Sequence, residues 1–286
     1  MLAMQGQDLT GVLYSLVLRT RGKALSEVRE AFDSGQLVSS WPMRGTLHVC
    51  LAKDLPWILS LTAERTLASM LGRQRQLNIS ATDIAAVRET AIDVTAGSGA
   101  SRDELFSAFE MIGQDTGAQR GIHLINVLCI QGQLVQGPFR GNKQLFMVSS
   151  EWIKQPRQLE RDEALAEIAT RYFRSHGPAT LADFAWWSKL TLTDARRALA
   201  AMDQSIVMLE HAGTEYFVAE ELLAQLPSGV GSRSVLLLPG FDENLLGYAD
   251  RSAALAAELA VRIVPGNNGM FMPTIRLWWL SDRHLA

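Results

Sequence analysis

A supersecondary unit of helix, turn, helix and hairpin recurs three times along the chain, and this repeat limits the fold more than any other feature of the 286 residues. Its plainest copy opens at Thr180-Leu181-Ala182-Asp183, which reads as a capping box: the Thr180 hydroxyl accepts the N–H three residues on, and Asp183 reaches back. A short helix through Trp187 follows. A second box, Thr191-Leu192-Thr193-Asp194, starts ARRALAAM, with apolar residues at helical spacing and Arg196 and Arg197 on the other side. SIVMLEHAGTEYFVA then predicts two strands around the turn His211-Ala212-Gly213-Thr214. Helix, turn, helix and hairpin together make a winged helix.

The same order occurs upstream. Ser101 to Glu104 caps ELFSAFEMIG, GAQRGIHLINVLCIQG supplies a second helix, and LVQGPFRGNKQLFMVS supplies two strands around a Gly-Asn turn. A weaker copy runs from Ser26: SEVREAF as helix, LVSSWPM and RGTLHVC as strands, then a helix from near Asp54. Helices near 80–96 and 161–176 begin the later copies, and Gly177-Pro178 ends the second of them. From Pro227 the character changes. Ser228 to Ser232 is linker-like, VLLLPGF and VRIVP read as buried strands, RSAALAAELA reads as a short helix between them, and Trp278 and Trp279 stand as candidate exposed aromatics. The reading is an α+β chain of three tandem winged-helix units, 1–78, 79–155 and 156–226, with a small mixed or β-rich C-terminal subdomain at 227–286.

Charge decides what kind of partner such a chain can hold. With 27 basic against 30 acidic residues and a formal charge of -3, it cannot coat nucleic acid by bulk electrostatics, so any such site must be a local basic face. Cys50 and Cys129 lack CxxC partners, which excludes a disulfide framework or zinc knuckle and suits a reducing cytoplasm. No window approaches the roughly 20 apolar residues of a membrane span, and MLAMQGQDLT lacks the basic start and apolar core of a signal peptide.

Common catalytic patterns are missing. The five histidines are scattered, and His48 with Cys50 finds no third ligand, so no metal is expected. Neither GxxxxGK[ST] nor GxSxG occurs. Three segments remain. Gln5-Gly6-Gln7-Asp8 projects two carboxamides to one side if extended, or is a polar stretch with Asp8 as an N-cap. Pro239 to Glu243 sets a carboxylate pair after an apolar strand, where Asp242 either bonds nearby backbone N–H groups or serves a site. Trp41 to His48 brings Arg44 and His48 beside a tryptophan, as core packing or as a nucleic-acid contact.

MLAMQGQDLTGVLYSLVLRT, SWPMRGTLHV with DLPWIL, GPATLADFAWWSKLTLTDARRAL and LLPGFDENLLGYADRS together resemble the AlkZ-like family of tandem winged-helix proteins, which includes bacterial DNA glycosylases. The likeness spans nearly the whole chain. It implies a monofunctional glycosylase, without cofactor, that removes alkylated purines, in some members those joined across both strands, from double-stranded DNA. The family's Gln-x-Gln or Gln-x-Asp motif falls on Gln5 and Gln7, implying that Gln5 holds the attacking water and Gln7 orients it. Candidate DNA contacts are Arg19, Arg21 and Lys23 after the first helix, Arg44 and His48, Arg140 and Lys143 on a wing tip, and Arg196 and Arg197 on a recognition helix. Asp242 is a secondary candidate. The implied setting is a monomer on nucleoid DNA in the cytoplasm. Two rivals stay open: a non-enzymatic winged-helix regulator, and an inactive family member or scaffold with degenerate sites.

Overall fold

The computed structural model describes residues 1–225, 235–267 and 269–277. The chain forms two compact units: a continuous one, Ala24–Arg161, and a discontinuous one made of Met1–Lys23 and Asp162–Ala286. The discontinuous unit opens with strand β1 (Ala3–Gln5) and helix α1 (Leu9–Arg19).

The continuous unit follows with α2 (Leu25–Asp33), β2 (Leu37–Met43), β3 (Thr46–Leu51), α3 (Leu55–Gln76), α4 (Ala81–Thr95), α5 (Arg102–Met111), α6 (Arg120–Ile130), β4 (Leu134–Arg140), β5 (Lys143–Val148) and α7 (Ser149–Trp152). Its strands pair antiparallel in the order β3-β2-β4-β5. Ser80 with Asp83 and Ser101 with Glu104 form complete capping boxes at the starts of α4 and α5, so both helix starts satisfy their own exposed N–H groups. Leu105, Phe109, Leu124, Leu128 and Phe146 share one buried cluster with Trp41, which settles the tryptophan of the 41–48 segment as core. Both cysteines are free and buried, and burial pushes the Cys129 thiol up from its ordinary value.

The discontinuous unit resumes with α8 (Arg161–His176), α9 (Leu181–Ser188), α10 (Leu192–Ala201), β6 (Ile206–His211), β7 (Thr214–Ala219) and α11 (Glu220–Leu223). The Thr180–Asp183 box caps α9 in both directions, and Thr191 accepts the Asp194 N–H at 3.0 Å to cap α10. Ala212 and Gly213 take φ of 50° and 75°, the doubly left-handed turn that suits the twist of the β6–β7 hairpin. Tyr172, Phe173, Phe184 and Trp187 are fully buried and pack ring against ring, with Tyr172 5.4 Å from Phe184 and 5.1 Å from Trp187.

One backbone contact occurs in both units. Ala100, just before the Ser101 cap, exchanges two hydrogen bonds with Phe146 of β5 (3.0 and 2.7 Å). Ala179, just before the Thr180 cap, does the same with Phe217 of β7 (3.1 and 2.8 Å). Each hairpin is thus held to the segment that leads into a capped helix.

The C-terminal part contains β8 (Val235–Leu238), α12 (Glu243–Leu246), α13 (Ala257–Ile263) and β9 (Thr274–Leu277), with β8 and β9 antiparallel. Three expectations are corrected here: VLLLPGF does form strand β8, but not a buried one, with Val235 50% and Leu237 57% exposed. VRIVP is not a buried strand: Val261 to Ile263 belong to α13, and Val261 is 72% exposed. The preceding Ala-Glu-Leu-Ala favours continuing the helix, and β8 finds its partner in β9 instead. The described part of 227–286 is accordingly mixed, two short strands, two short α-helices and a 3-10 turn at Pro265–Asn267, rather than β-rich. The 228–232 linker, Trp278 and Trp279 lie outside the described residues. No helix among the described residues is long and apolar enough to cross a membrane.

Candidate active site and nucleic-acid interface

All three residues of β1 are buried, so the first motif residue enters the protein on a fixed strand. Gln5 is 6% exposed, whereas Gln7 faces solvent. Their side chains meet: Gln5 Nε2 donates to Gln7 Oε1, so the expected projection of both carboxamides to one side holds. Asp8 occupies the N-cap position of α1 with extended backbone, but its side chain makes no capping bond. Its carboxylate lies instead in the space Gly11 leaves, where a Cβ would stand 2.7 Å from Oδ2.

The seat under Gln5 comes from the loop after β8. Phe241 adopts φ 61°, a left-handed conformation costing a bulky residue about 1–3 kcal/mol. At Gly240 a Cβ would stand 2.5 Å from the Phe271 carbonyl oxygen, so only glycine fits the turn. Beyond it, Asp242 and Glu243 are both buried. Glu243 Oε1 accepts the backbone N–H of Gln5 at 2.8 Å. Its Oε2 accepts Trp187 Nε1 at 3.1 Å and faces His176 Nε2 at 3.4 Å.

Asp242 is held separately. Arg19 grips it with two nitrogens at 2.7 and 2.9 Å, the Ser15 hydroxyl donates at 2.6 Å, and the Asn244 N–H donates at 2.9 Å. The backbone-capping reading of Asp242 therefore holds, with α1 added as a second anchor. The loop is tied down further along as well. Tyr172 donates to the Gly247 carbonyl at 2.8 Å, Tyr248 donates to the His176 carbonyl at 2.7 Å, and Asp183 accepts the N–H groups of Ala249 and Asp250 at 2.9 and 3.1 Å. Burial, then the Asp183 and Glu243 charges, push the Tyr248 phenol up to about 12, so it remains a donor.

The candidate cations fall into groups. In the discontinuous unit, Arg21, Lys23 and Arg196 are exposed, and Arg197 pairs with Asp162 at 2.7 Å with both side chains more than half exposed. In the continuous unit, Arg44 sits in the β2–β3 turn at φ 57°, with one guanidinium nitrogen 3.2 Å from His48 Nε2. His48 is fully buried, and its Nδ1 lies 2.8 Å from the Thr46 carbonyl oxygen. It thus backs Arg44 from inside the hairpin rather than facing solvent. Arg140 and Lys143 close the β4–β5 hairpin and pair with Glu104 and Asp103 at 2.9 and 2.6 Å, in the open. The Ser101 capping bonds, then Arg140, hold the Glu104 carboxyl below the usual range, and Lys143 does the same for Asp103. Sequence reasoning missed Ser15, His176 and Trp187, and named Glu243 only as the second member of a pair. Among the described residues, no group of three His, Cys, Asp or Glu side chains is arranged to hold a metal ion.

The site is thus a buried strand ending in a bonded Gln-x-Gln pair and seated on a buried carboxylate loop. The chain belongs to the AlkZ-like DNA glycosylase family, whose description, DNA glycosylase AlkZ-like, matches residues 1–279. An interstrand DNA cross-link repair glycosylase of Streptomyces sahachiroi is 25% identical over 303 aligned residues, covering 99% of this chain and 81% of its own length. The solved structure of the Streptomyces sahachiroi DNA glycosylase AlkZ superposes with a TM-score of 0.76 at 25% identity, covering 97% of this chain and 77% of that one.

Proposed function

We propose that the chain hydrolyses the N-glycosidic bond of N7-alkylated purines in double-stranded DNA, using a water held by Gln5 and oriented by Gln7, and that interstrand crosslinks fall within its range. The observation that carries the reading is the bonded carboxamide pair seated on a buried carboxylate. An N7-alkylated purine already carries positive charge. When its bond to C1′ breaks, the base keeps the electron pair and leaves neutral, and the positive charge passes to the sugar. Water then forms the new C1′–O bond and releases a proton to solvent. A strong acid is unnecessary, so two neutral carboxamides suffice to place the water and meet the forming cation with their oxygen dipoles. No lysine nucleophile, metal or cofactor enters the scheme.

The DNA-binding part of the reading is tandem winged helices. The two hairpins that bond the residue before a capped helix, through Ala100 with Phe146 and Ala179 with Phe217, support it. In this reading the segments 1–78, 79–155 and 156–226 each carry one winged helix, the first drawing on both compact units, with 227–286 completing the site through Glu243. Arg44 backed by His48, Arg140 with Lys143, Arg196 with Arg197, and Arg21 with Lys23 supply phosphate contacts. Arg19 reaches DNA only through what its grip on Asp242 leaves. The setting this implies is a single chain acting on chromosomal DNA in the cytoplasm.

Incubation with a duplex carrying 7-methylguanine, and with a nitrogen-mustard crosslinked duplex, tests the reading by mass spectrometry of the freed base. The expected result is free 7-methylguanine above the spontaneous rate, unhooking of the crosslink, and no borohydride-trapped adduct. Tight binding with only background release would instead favour the non-enzymatic regulator.

The cations separate in a second measurement. Arg19→Ala strips a buried carboxylate of its guanidinium and is expected to destabilise the protein by about 2–3 kcal/mol. Arg21→Ala and Lys23→Ala are expected to shift stability by less than about 0.5 kcal/mol. Each should instead reduce the steepness with which DNA affinity falls against log salt, by about 0.9 per lost phosphate contact. An unchanged salt slope in the Arg21 and Lys23 variants removes those two from the interface.

A further inference from the structure

Of the described tyrosines, phenylalanines and tryptophans, only Tyr14 is exposed, at 43%. The others are buried or half-buried, as rings that carry so much apolar area usually are. Among the described residues the Tyr14 ring packs on no other ring, and its hydroxyl has no hydrogen-bond partner.

Its place follows from how α1 is fixed. Gly11, Val12, Leu13 and Ser15 are buried, and Ser15 and Arg19, four residues apart on one face, both hold Asp242, the hydroxyl at 2.6 Å and the guanidinium at 2.7 and 2.9 Å. That grip sets the rotation of the helix. Thr10 and Tyr14, also four apart, are turned to solvent together. The helix begins two residues after Gln7, which is exposed as well. A long side chain on a helix leans toward the N-terminus, over the residue four before it, so the Tyr14 ring covers the turn at Thr10 on the side of the motif. Downstream the chain runs to the exposed Arg21 and Lys23, which places the open ring in sequence between the glutamine pair and the cations read as phosphate contacts.

An aromatic face carries negative potential and attracts a cation placed over it. Undamaged purines are neutral, whereas an N7-alkylated purine holds a positive charge in its ring, so a phenol stacked on it favours the damaged base over its normal counterpart. The attraction is greatest before the glycosidic bond breaks, because the charge then passes to the sugar and the base leaves neutral. It therefore acts on binding and on the choice of lesion rather than on the barrier.

We infer that Tyr14 is a specificity-determining residue: its ring stacks on the alkylated purine and selects that base by its positive charge. This deepens the glycosylase reading above and rests on it. An exposed tyrosine with no part in recognition would leave the choice between charged and neutral bases unchanged when its ring is removed, which gives the test its readout.

Binding is compared for two duplexes of one sequence, each with a 2′-fluorinated sugar that resists cleavage at the test position. One carries the cationic 7-methylguanine, the other the neutral 7-methyl-7-deazaguanine of the same shape. The wild type is expected to bind the cationic duplex about 3- to 10-fold more tightly. Tyr14→Phe is expected to keep that preference, and Tyr14→Leu, apolar but without a π face, to bind the two alike. With cleavable 7-methylguanine DNA, Tyr14→Leu should raise the half-saturating concentration in single-turnover base release more than it lowers the maximal rate. Both substitutions fall on an exposed side chain and should leave the melting temperature close to wild type. A wild type that releases base yet binds both duplexes alike overturns the inference. So does a Tyr14→Leu variant that retains the preference, or a Tyr14→Phe variant that loses it. A wild type that releases no base from any duplex overturns the glycosylase reading itself, and this inference falls with it.

Discussion

Gln5→Ala is expected to lower kcat for 7-methylguanine release by about 10²–10³-fold while leaving the melting temperature and the affinity for undamaged DNA close to wild type. The asymmetry follows from how the residue is held. The bond that seats Gln5 on Glu243 comes from its backbone N–H, so truncating the side chain leaves the strand anchor in place and removes only the carboxamide. Gln7→Ala should cost less, about 10- to 100-fold, because Gln7 is exposed and acts partly by fixing the Gln5 amide through its carbonyl. The double variant should fall only slightly below Gln5→Ala, since two groups that order one water act as a unit. Single-turnover base release with a parallel thermal melt checks all three. Loss of folding in Gln5→Ala, or a rate within about twofold of wild type, would contradict the assignment.

Trp187→Ala is expected to destabilise the protein by about 3–5 kcal/mol, the largest stability loss of any variant considered. The ring is fully buried, 5.1 Å from Tyr172 and 5.5 Å from His176, so its removal opens a cavity in the most aromatic part of the discontinuous unit. The same change takes the indole N–H away from Glu243 Oε2 and leaves a buried carboxylate short of a donor. Trp187→Phe separates the two effects. It keeps most of the packing and loses only the donor, and is expected to cost about 1.5–3 kcal/mol, the range for a bond to a charged group. Circular-dichroism melts of the two variants provide the comparison. Equal losses would mean that the hydrogen bond and not the packing dominates; a negligible loss in Trp187→Phe would mean that Glu243 does not depend on the indole.

Local physics explains which parts of this arrangement could be read in advance. Capping boxes at Ser101 and Thr180, the Gly-Asn and Ala-Gly turns, and the bounds of α8 were legible because each is decided within a few residues. The same reasoning failed at VRIVP, where β-branched residues suggested a strand but the preceding alanines carried a helix through them. The glutamine pair was one of three segments the residues themselves picked out, but its catalytic role came only with the family likeness, since two carboxamides one residue apart are an ordinary polar stretch. What holds them was out of reach. No periodicity connects Gln5 to Glu243, or Ser15 and Arg19 to Asp242, and burial of a charged pair after an apolar strand runs against the usual placement of acids at the surface. Nor does exposure follow from residue type: His48 beside Arg44 suggested a surface contact, yet its ring is inside the hairpin.

Because the discontinuous unit joins two segments far apart in the sequence, its strand β1 is synthesised well before the loop that seats it. Gln5 and its carboxylate seat are 238 residues apart, and at ribosomal rates of about 5–20 residues per second that separation amounts to about 10–50 s. During that interval β1 exists without Glu243, while the continuous unit comes from one unbroken stretch of chain. On the proposed reading, a nascent chain would carry the hairpins assigned to DNA before it carried the carboxylate seat of Gln5. The bond that seats Gln5 therefore exists only once translation has passed the loop after β8.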